Sequence, residues 1–305
     1  MLLEKGTDRR IALSAHGLLG RSSACTIRLD AARASAEHAR IGYRDGAWSV
    51  RDLGSRNGTF VNGARLGPGD TRALVAGDAL AFGDPEGVYL LVDASPPVAM
   101  ARHVGTDRVI AGGQGLLALP SPDAPDVCLI EGEGGAWVLE RDGQTHEVHD
   151  GEIVEAGGER FTVHLPVPLP ATVEAGERAA RLEDVALHFR VSRDEEAVEL
   201  AVTGPGSALV LPPRSHHYML LTLARARVRD RESTGLIDPQ RGWLFVDELC
   251  RMLATDENKL NVEVYRVRQE MSVLGLVNAT AVVERRRGSR QLRVGTERIT
   301  IEAMG

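Results

Sequence analysis

The residues of this chain with the clearest chemical signature lie between positions 20 and 63. Gly20-Arg21 comes first, then Ser35-Ala36-Glu37-His38, then Ser55-Arg56-Asn57-Gly58-Thr59-Phe60-Val61-Asn62-Gly63. Together they supply a guanidinium with a rigid fork of donors, hydroxyls that can donate to an oxygen, and a carboxamide. Their glycines let backbone N–H groups come close to a ligand. Such a set suits a small anion with several acceptor oxygens. A phosphorylated hydroxyl side chain, with roughly −1.5 to −2 charges and three oxygens at neutral pH, is an anion of that kind.

Other chemistries find little support. There is no P-loop and no Gly-x-Ser-x-Gly elbow. Cys25, Cys128 and Cys250 are too few and too far apart for a zinc pattern or a disulfide framework. His216-His217 stands beside a predicted helix start and reads as a solvated terminus rather than a ligand pair. Asp194-Glu195-Glu196 reads as a solvated turn. No enzyme activity, cofactor or metal is therefore expected.

The three N-terminal motifs, in this order and at these separations, resemble the forkhead-associated (FHA) family over roughly residues 8–93. The resemblance implies a β-sandwich that binds phosphothreonine on a partner protein through its loops. It implies Arg21 as the main phosphate ligand, Ser35 as a hydroxyl donor, and Asn57 as the holder of the peptide main chain with Arg56 beside it. Arg33, two residues before Ser35, is implied as a further basic contact. Gly20, His38 and Gly58 are implied as loop architecture. Ala36 departs from the family pattern, in which Arg or Asn is common there. That alters affinity or specificity and leaves the phosphate clamp in place.

The elements that must position these groups are short strands separated by turns. Strands are predicted at 26–29, 39–41, 48–50 and 88–92, with turns at Asp45-Gly46, Asn57-Gly58, Asn62-Gly63 and Pro68-Gly69. This texture predicts a β-sandwich over residues 1–93. After a break at Ala94-Ser95-Pro96-Pro97 it repeats over 98–166. Gly46-Ala47-Trp48 recurs as Gly135-Ala136-Trp137, and Gly77-Asp78-Ala79-Leu80 as Gly151-Glu152-Ile153-Val154. The Trp-to-Gly spacing shortens from 29 to 14 residues, and the missing stretch is the one that carries Ser55 to Thr59. Residues 98–166 are thus predicted to be a degenerate FHA-like sandwich without a phosphate site, serving as a spacer or a dimer surface. Residues 167–181 read as a Pro- and Ala-rich connection.

Residues 182–305 differ in kind. A hairpin is predicted at 185–190 and 199–202, followed by three helices. Ser215 is predicted to cap the first, which carries Leu220, Leu221, Ala224 and Val228. The second carries Val246, Leu249, Cys250 and Leu253, and the third Leu260, Val264, Val267 and Met271, at helical spacing. A hairpin at 281–284 and 291–294 closes the region around Arg285-Arg286-Arg287-Gly288-Ser289-Arg290. This pattern resembles the winged helix-turn-helix of OmpR-type response regulators. By that resemblance the third helix reads a major groove and the wing touches phosphate or the minor groove. Asn261, Tyr265, Arg268 and Ser272 would form the reading face. Lys259, Arg285, Arg286, Arg287 and Arg290 would add backbone contacts. Against this stand the acidic start of the third helix (Asp256, Glu257), Glu263 and Glu270 flanking Arg266, and a long connection from Arg229 to Trp243.

The fold class expected is therefore multidomain, β plus α/β: an FHA sandwich (1–93), a degenerate sandwich (98–166) and a winged helix (182–305). The function expected is a phosphothreonine-dependent transcription regulator, with a Ser/Thr kinase or its substrate as protein partner and double-stranded DNA as the output. The combination resembles actinobacterial regulators that join these two domain types in a different order. The alternative is a phospho-dependent adaptor whose winged helix binds protein. A net charge of −7 argues against nucleic acid along the whole chain and leaves a local basic face open. With no leader-like N-terminus and no run of about 20 apolar residues, a cytoplasmic, membrane-free protein is expected, with room for a homodimer.

Overall fold

The computed structural model describes residues 1–7, 9–106, 108–166, 180–204, 207–233, 235–276, 278–286 and 288–304. Most of the predicted connection, 167–179, lies outside the described residues, as does Arg287. The chain is β-rich, with three α-helices in its C-terminal third. Among the described residues, no helix is long and apolar enough to cross a membrane. Two compact units emerge. One is built on Met1–Ala111 with short returns at Asp150–Glu152 and from Thr162; the other on Gly112–His149, Ile153–Phe161 and the C-terminal region. The predicted segment 98–166 thus shares its residues between the two.

The first unit contains a five-stranded sheet in the order 27–28, 16–20, 39–44, 47–52, 71–74. A six-stranded sheet runs in the order 10–11, 2–4, 88–91, 79–82, 59–61, 64–65. Period-two alternation sends Ala39, Ile41 and Tyr43 inward and Arg40 and Arg44 outward; on the next strand Trp48, Val50 and Asp52 go inward. Leu19, Ile27, Leu80, Phe82 and Leu91 complete the core. Asn62 and Gly63, both at positive φ (51° and 78°), make the two-residue turn that joins Thr59–Val61 to Ala64–Arg65.

The second unit begins with an antiparallel sheet in the order 116–119, 127–131, 137–141, 144–148. Its register aligns Leu116 with Ile130 and Val138, and Ala118 with Cys128 and Glu140. These six therefore share one face, while Leu117, Leu119, Val127, Leu129, Trp137 and Leu139 line the other. Further on, strands 186–191 and 198–204 form the predicted hairpin. The strand 207–211 flanks it on one side, and the terminal strand 299–303 pairs in parallel on the other.

Three helices follow: α1 (His216–Glu232), which packs on this sheet, α2 (Val246–Met252), and α3 (Glu257–Val273), which packs against both other helices. On α3 the predicted apolar stripe Leu260, Val264, Val267 and Met271 is buried. The Asp256 carboxylate caps α3 by accepting from the Lys259 N–H at 2.9 Å. Ser215 does not cap α1 through its side chain, because its backbone is already helical. A three-stranded sheet, ordered 244–245, 291–294, 283–285, closes the unit. Its wing strand starts at Val283 rather than 281, since 279–282 form a 3-10 turn. The long connection after α1 is pinned where the buried Arg227 donates to Asp238 at 2.7 Å.

Candidate phosphopeptide site and candidate nucleic-acid interface

Three loops of the first sandwich carry the motif residues, and short hydrogen bonds stitch them together. The Arg21 N–H donates to the Ser35 carbonyl (3.1 Å) and the Ser22 N–H to the Ala36 carbonyl (3.1 Å). This crossing is so close that a Cβ on Gly20 would sit 2.1 Å from the Ala36 oxygen. The Arg56 N–H donates to the Ser35 hydroxyl (3.2 Å), and the Asn57 amide donates to the Arg33 carbonyl (2.8 Å). Ser35 and Asn57 thus sit at junctions between loops.

His38 is the brace under this assembly and is fully buried. Its Nδ1 accepts from the Ser35 N–H at 3.0 Å, so Nε2 carries the proton and donates to the Gly58 carbonyl at 3.1 Å. Burial lowers the imidazole below the ordinary histidine range, outweighing the Gly58 hydrogen bond and the Asp52 charge. Gly58 itself sits at φ +88°, a conformation closed to most side chains.

A second anchor was not singled out from the sequence. Asp52 ends the Trp48 strand and is 1% exposed. Its carboxylate accepts from the N–H groups of Gly54 (2.8 Å) and Ser55 (3.0 Å) and from the hydroxyls of Ser55 (2.6 Å) and Thr59 (2.7 Å). Burial alone would raise this carboxyl; the hydrogen bonds outweigh it and hold it below the usual carboxylate range. The readable signal was an Asp two and three residues before a Gly-Ser pair, the Asx-turn spacing.

Around these loops the basic groups stay available. Arg21 is exposed, and its Nε donates to the Ala34 carbonyl at 2.6 Å. That contact fixes the guanidinium while its two terminal nitrogens keep no protein partner among the described residues. Arg33 and Arg56 are exposed as well. None of the three has a carboxylate within ion-pair distance among the described residues. Loops held from below by His38 and Asp52, edged by three uncompensated guanidiniums, form a pre-organised anion site.

The predicted DNA-reading face is different. Arg268 is 2% exposed rather than outward. Its guanidinium grips both oxygens of Glu140 (2.9 and 3.2 Å) and donates to the Val283 carbonyl (2.7 Å). Arg285 places Nε 2.7 Å from the same carboxylate, though not aligned as a hydrogen bond, and donates to the Asn261 side chain at 2.6 Å. Tyr265 is buried against Leu116 and Ala118, flanked by Cys128 and Ile130. Ser272 is buried too. The α3 face predicted to read DNA therefore lies on the Leu116–Glu140 face of the neighbouring sheet, where Glu140 compensates two arginines. The seam encloses about 10 Å³, room for one water at most.

Burial pushes the Cys128 thiol up to about 11. It would raise Glu140 as well, but Arg268 and Arg285 outweigh it and hold that carboxyl below its ordinary range. The remaining predicted contacts stay at the surface. Lys259 lies 3.8 Å from Asp256, Arg290 pairs with Glu257 (2.5 Å) and Asp247 (3.4 Å), and Arg286 lies over the Trp243 ring at 5.6 Å.

His216 and His217 are buried, not solvated. Both point Nε2 at one oxygen of Glu270, at 3.0 and 2.8 Å. No sequence spacing could have shown this, since Glu270 stands more than fifty residues away.

Comparison with known proteins locates the family signal. Residues 17–83 match the FHA domain family and are an FHA domain. The FHA domain-containing protein FhaB of Mycobacterium tuberculosis, in strains CDC 1551 and H37Rv, is 43% identical over 61 residues, which is 20% of this chain. The match spans only 39% of FhaB. Among solved structures, Mycobacterium tuberculosis EmbR in complex with a low affinity phosphopeptide is 28% identical, covering 29% of this chain and 22% of EmbR, with a TM-score of 0.27. The N-terminal FHA domain of S. cerevisiae Rad53p in complex with a phosphothreonine peptide is 25% identical, covering 29% of this chain and 86% of that one, with a TM-score of 0.25.

Proposed function

We propose that this chain is a phosphothreonine reader that recognises a phosphorylated partner protein, a Ser/Thr kinase or its substrate, through Arg21, Ser35 and Asn57, with Arg33 and Arg56 assisting. The observation that carries this reading is the set of three exposed, uncompensated guanidiniums around loops locked by His38 and Asp52. FhaB, to which this segment is 43% identical, carries the same domain name. A degenerate phosphothreonine peptide library presented to wild type and Arg21→Ala tests the assignment. Retention by wild type and loss in the variant is expected; equal retention by both overturns it.

The C-terminal region is read as a winged helix. Three helices, a wing hairpin at 283–285 and 291–294, and the strand 244–245 beside it support that reading. The sheet before it is read as part of a degenerate FHA-like sandwich. Its strands 116–119, 127–131, 137–141 and 144–148 follow the order of 16–20, 39–44, 47–52 and 71–74 in the first unit. What is missing between the Trp137 strand and the 153–156 strand is the counterpart of the loop and strands at 55–65.

Two outputs follow. In the first, the chain is a transcription regulator whose DNA-reading face is held against its own sheet by Glu140 and must undock to bind DNA. In the second, favoured by that covered face, the winged helix is a protein-contact module and the chain is an adaptor. Binding to random duplex across a salt series, with wild type and Glu140→Gln, separates them. A DNA-binding face would lose affinity with a log–log salt slope of about −0.9 per phosphate contacted. Binding gained or strengthened in Glu140→Gln supports the regulator; no binding by either protein at low salt supports the adaptor.

A further inference from the structure

We propose that His216, His217 and Glu270 form a three-ligand site for a divalent transition ion of the zinc class, tying the first turn of α1 to the last turns of α3. This stands apart from the phosphate site and from the readings of the winged helix.

The geometry comes first. The ligand atoms of all three residues lie within 4.8 Å of one another. Both imidazole Nε2 atoms converge on the same carboxylate oxygen, at 3.0 and 2.8 Å. Two hydrogen bonds to a carboxylate would be served equally well by one ring on each oxygen. Here both nitrogens crowd a single oxygen, which gathers three ligand atoms into one cluster. For an ion about 2.1 Å from each donor, those two edges subtend angles of about 85–90°. These are the angles of one face of an octahedral or five-coordinate shell. The two imidazole rings stand at 87° to each other, with centroids 4.9 Å apart.

The chemistry selects the ion. Two neutral imidazoles and one carboxylate are a borderline set, suited to Zn²⁺, Co²⁺, Ni²⁺ or Fe²⁺, and ill suited to Mg²⁺ or Ca²⁺, which take oxygen. The setting is dry on one side, with the His217 side chain 0% exposed and that of His216 9%, and open on the other, with Glu270 at 17%. Water can therefore complete the shell from the Glu270 side. Glu263, two turns earlier on α3, lies within electrostatic reach of His216 and adds negative potential favouring a cation. The role is structural. An ion here joins two helices that both pack into the C-terminal core, and its binding free energy becomes folding free energy.

The test uses the full chain, stripped with a chelator and titrated with Zn²⁺ and separately with Co²⁺. One ion per chain is expected, with visible Co²⁺ absorption and a rise in the unfolding midpoint of the C-terminal unit. Glu270→Gln keeps the size and an oxygen acceptor but removes the anionic ligand. It is expected to weaken Zn²⁺ at least tenfold and to abolish the midpoint rise, with a circular dichroism spectrum unchanged from wild type. His216→Gln/His217→Gln is expected to remove the Co²⁺ absorption. Failure of the stripped wild type to take up either ion overturns the proposal. So does Zn²⁺ affinity undiminished in Glu270→Gln, because the ion would then sit on the chain's other histidines.

Discussion

Glu140→Gln is the sharpest perturbation of the covered α3 face. The carboxylate holds two guanidiniums, with side-chain exposures of 7% for Glu140, 3% for Arg268 and 10% for Arg285. Breaking a buried pair leaves an uncompensated charge and costs about 3–5 kcal/mol. Here two cations lose one partner, so the upper part of that range applies. An exposed pair gives the internal reference. Arg190 and Glu199 meet at 2.9 Å with side chains 58% and 38% exposed, and such pairs contribute about 0.2–1 kcal/mol. Arg268→Gln should cost less than Glu140→Gln, because Glu140 keeps Arg285. The double variant should cost less than the sum, with a coupling energy of about 1–3 kcal/mol.

The assay is urea unfolding followed by a probe in the second unit, with Glu199→Gln measured alongside. The pH dependence carries its own sign. The folded carboxyl of Glu140 lies below its ordinary range, so the unfolded chain takes the proton first. The stabilisation is complete above the ordinary carboxylate range and is lost as pH falls through the folded value. Glu140→Gln should flatten that acid limb. The reasoning fails if Glu140→Gln costs no more than Glu199→Gln, or if the singles add without coupling.

The phosphate site yields three further expectations. Arg21→Ala removes an exposed guanidinium, so stability should hold while phosphothreonine-peptide affinity drops about tenfold to a hundredfold, the worth of a charge-assisted bond of about 1.5–3 kcal/mol; fluorescence anisotropy with phosphorylated and plain peptides reads both. Asp52→Asn removes the charge from a hub of four hydrogen bonds and should cost about 2–3 kcal/mol of first-unit stability, weakening peptide binding through a loosened 54–59 loop; unchanged calorimetry would count against the hub. His38 has a folded pKa below its ordinary 6.5. The unfolded chain is protonated first, so first-unit stability should be complete above that pH and decline as pH falls through it toward the folded value. His38→Gln should remove that slope in denaturant titrations run across the range.

How legible was all this in the chain? The FHA segment was legible because its chemistry is local. Gly20-Arg21, Ser35 to His38 and Ser55 to Gly63 each sit on one loop, and the loops are close in sequence. The apolar stripe of α3 was legible for a similar reason, since Leu260, Val264, Val267 and Met271 obey a helical period that needs no partner. The cover over the expected reading face was not legible, because Asn261, Tyr265 and Arg268 obey the same period on the opposite side. An Arg on a polar helix face has the same pattern whether its partner is a nucleic-acid phosphate or a carboxylate more than a hundred residues earlier. The site at His216, His217 and Glu270 was out of reach on the same ground. Its members come from helices whose packing no spacing encodes. Asp52 was within reach and passed over, since a lone Asp at a strand end is common.

The sheets that carry Trp48 and Trp137 differ in a way that bears on why α3 is covered. In the first unit, the outer face of the 16–20, 39–44, 47–52 sheet carries Arg40, Arg51 and Ser49 in register, a polar face that water can cover. The corresponding face of the second unit's sheet carries Leu116, Ala118, Cys128, Ile130 and Val138 on its first three strands, with Glu140 among them and Thr145 and Glu147 on the edge strand. The strand Leu116–Leu119 is buried at every position rather than at alternate ones. A continuous apolar strand in an antiparallel sheet requires cover on both faces. One face is answered by the sandwich interior, and the other needs a further element with an apolar contact and a cation for Glu140. The α3 helix offers both in Tyr265 and Arg268. The apolar face of strands 116–119, 127–131 and 137–141 thus takes α3 as its cover. Any duplex competing for that helix must therefore offset both the reburial of Tyr265 and the exchange of Glu140 for phosphate. The covered face thus sets an affinity threshold for the output.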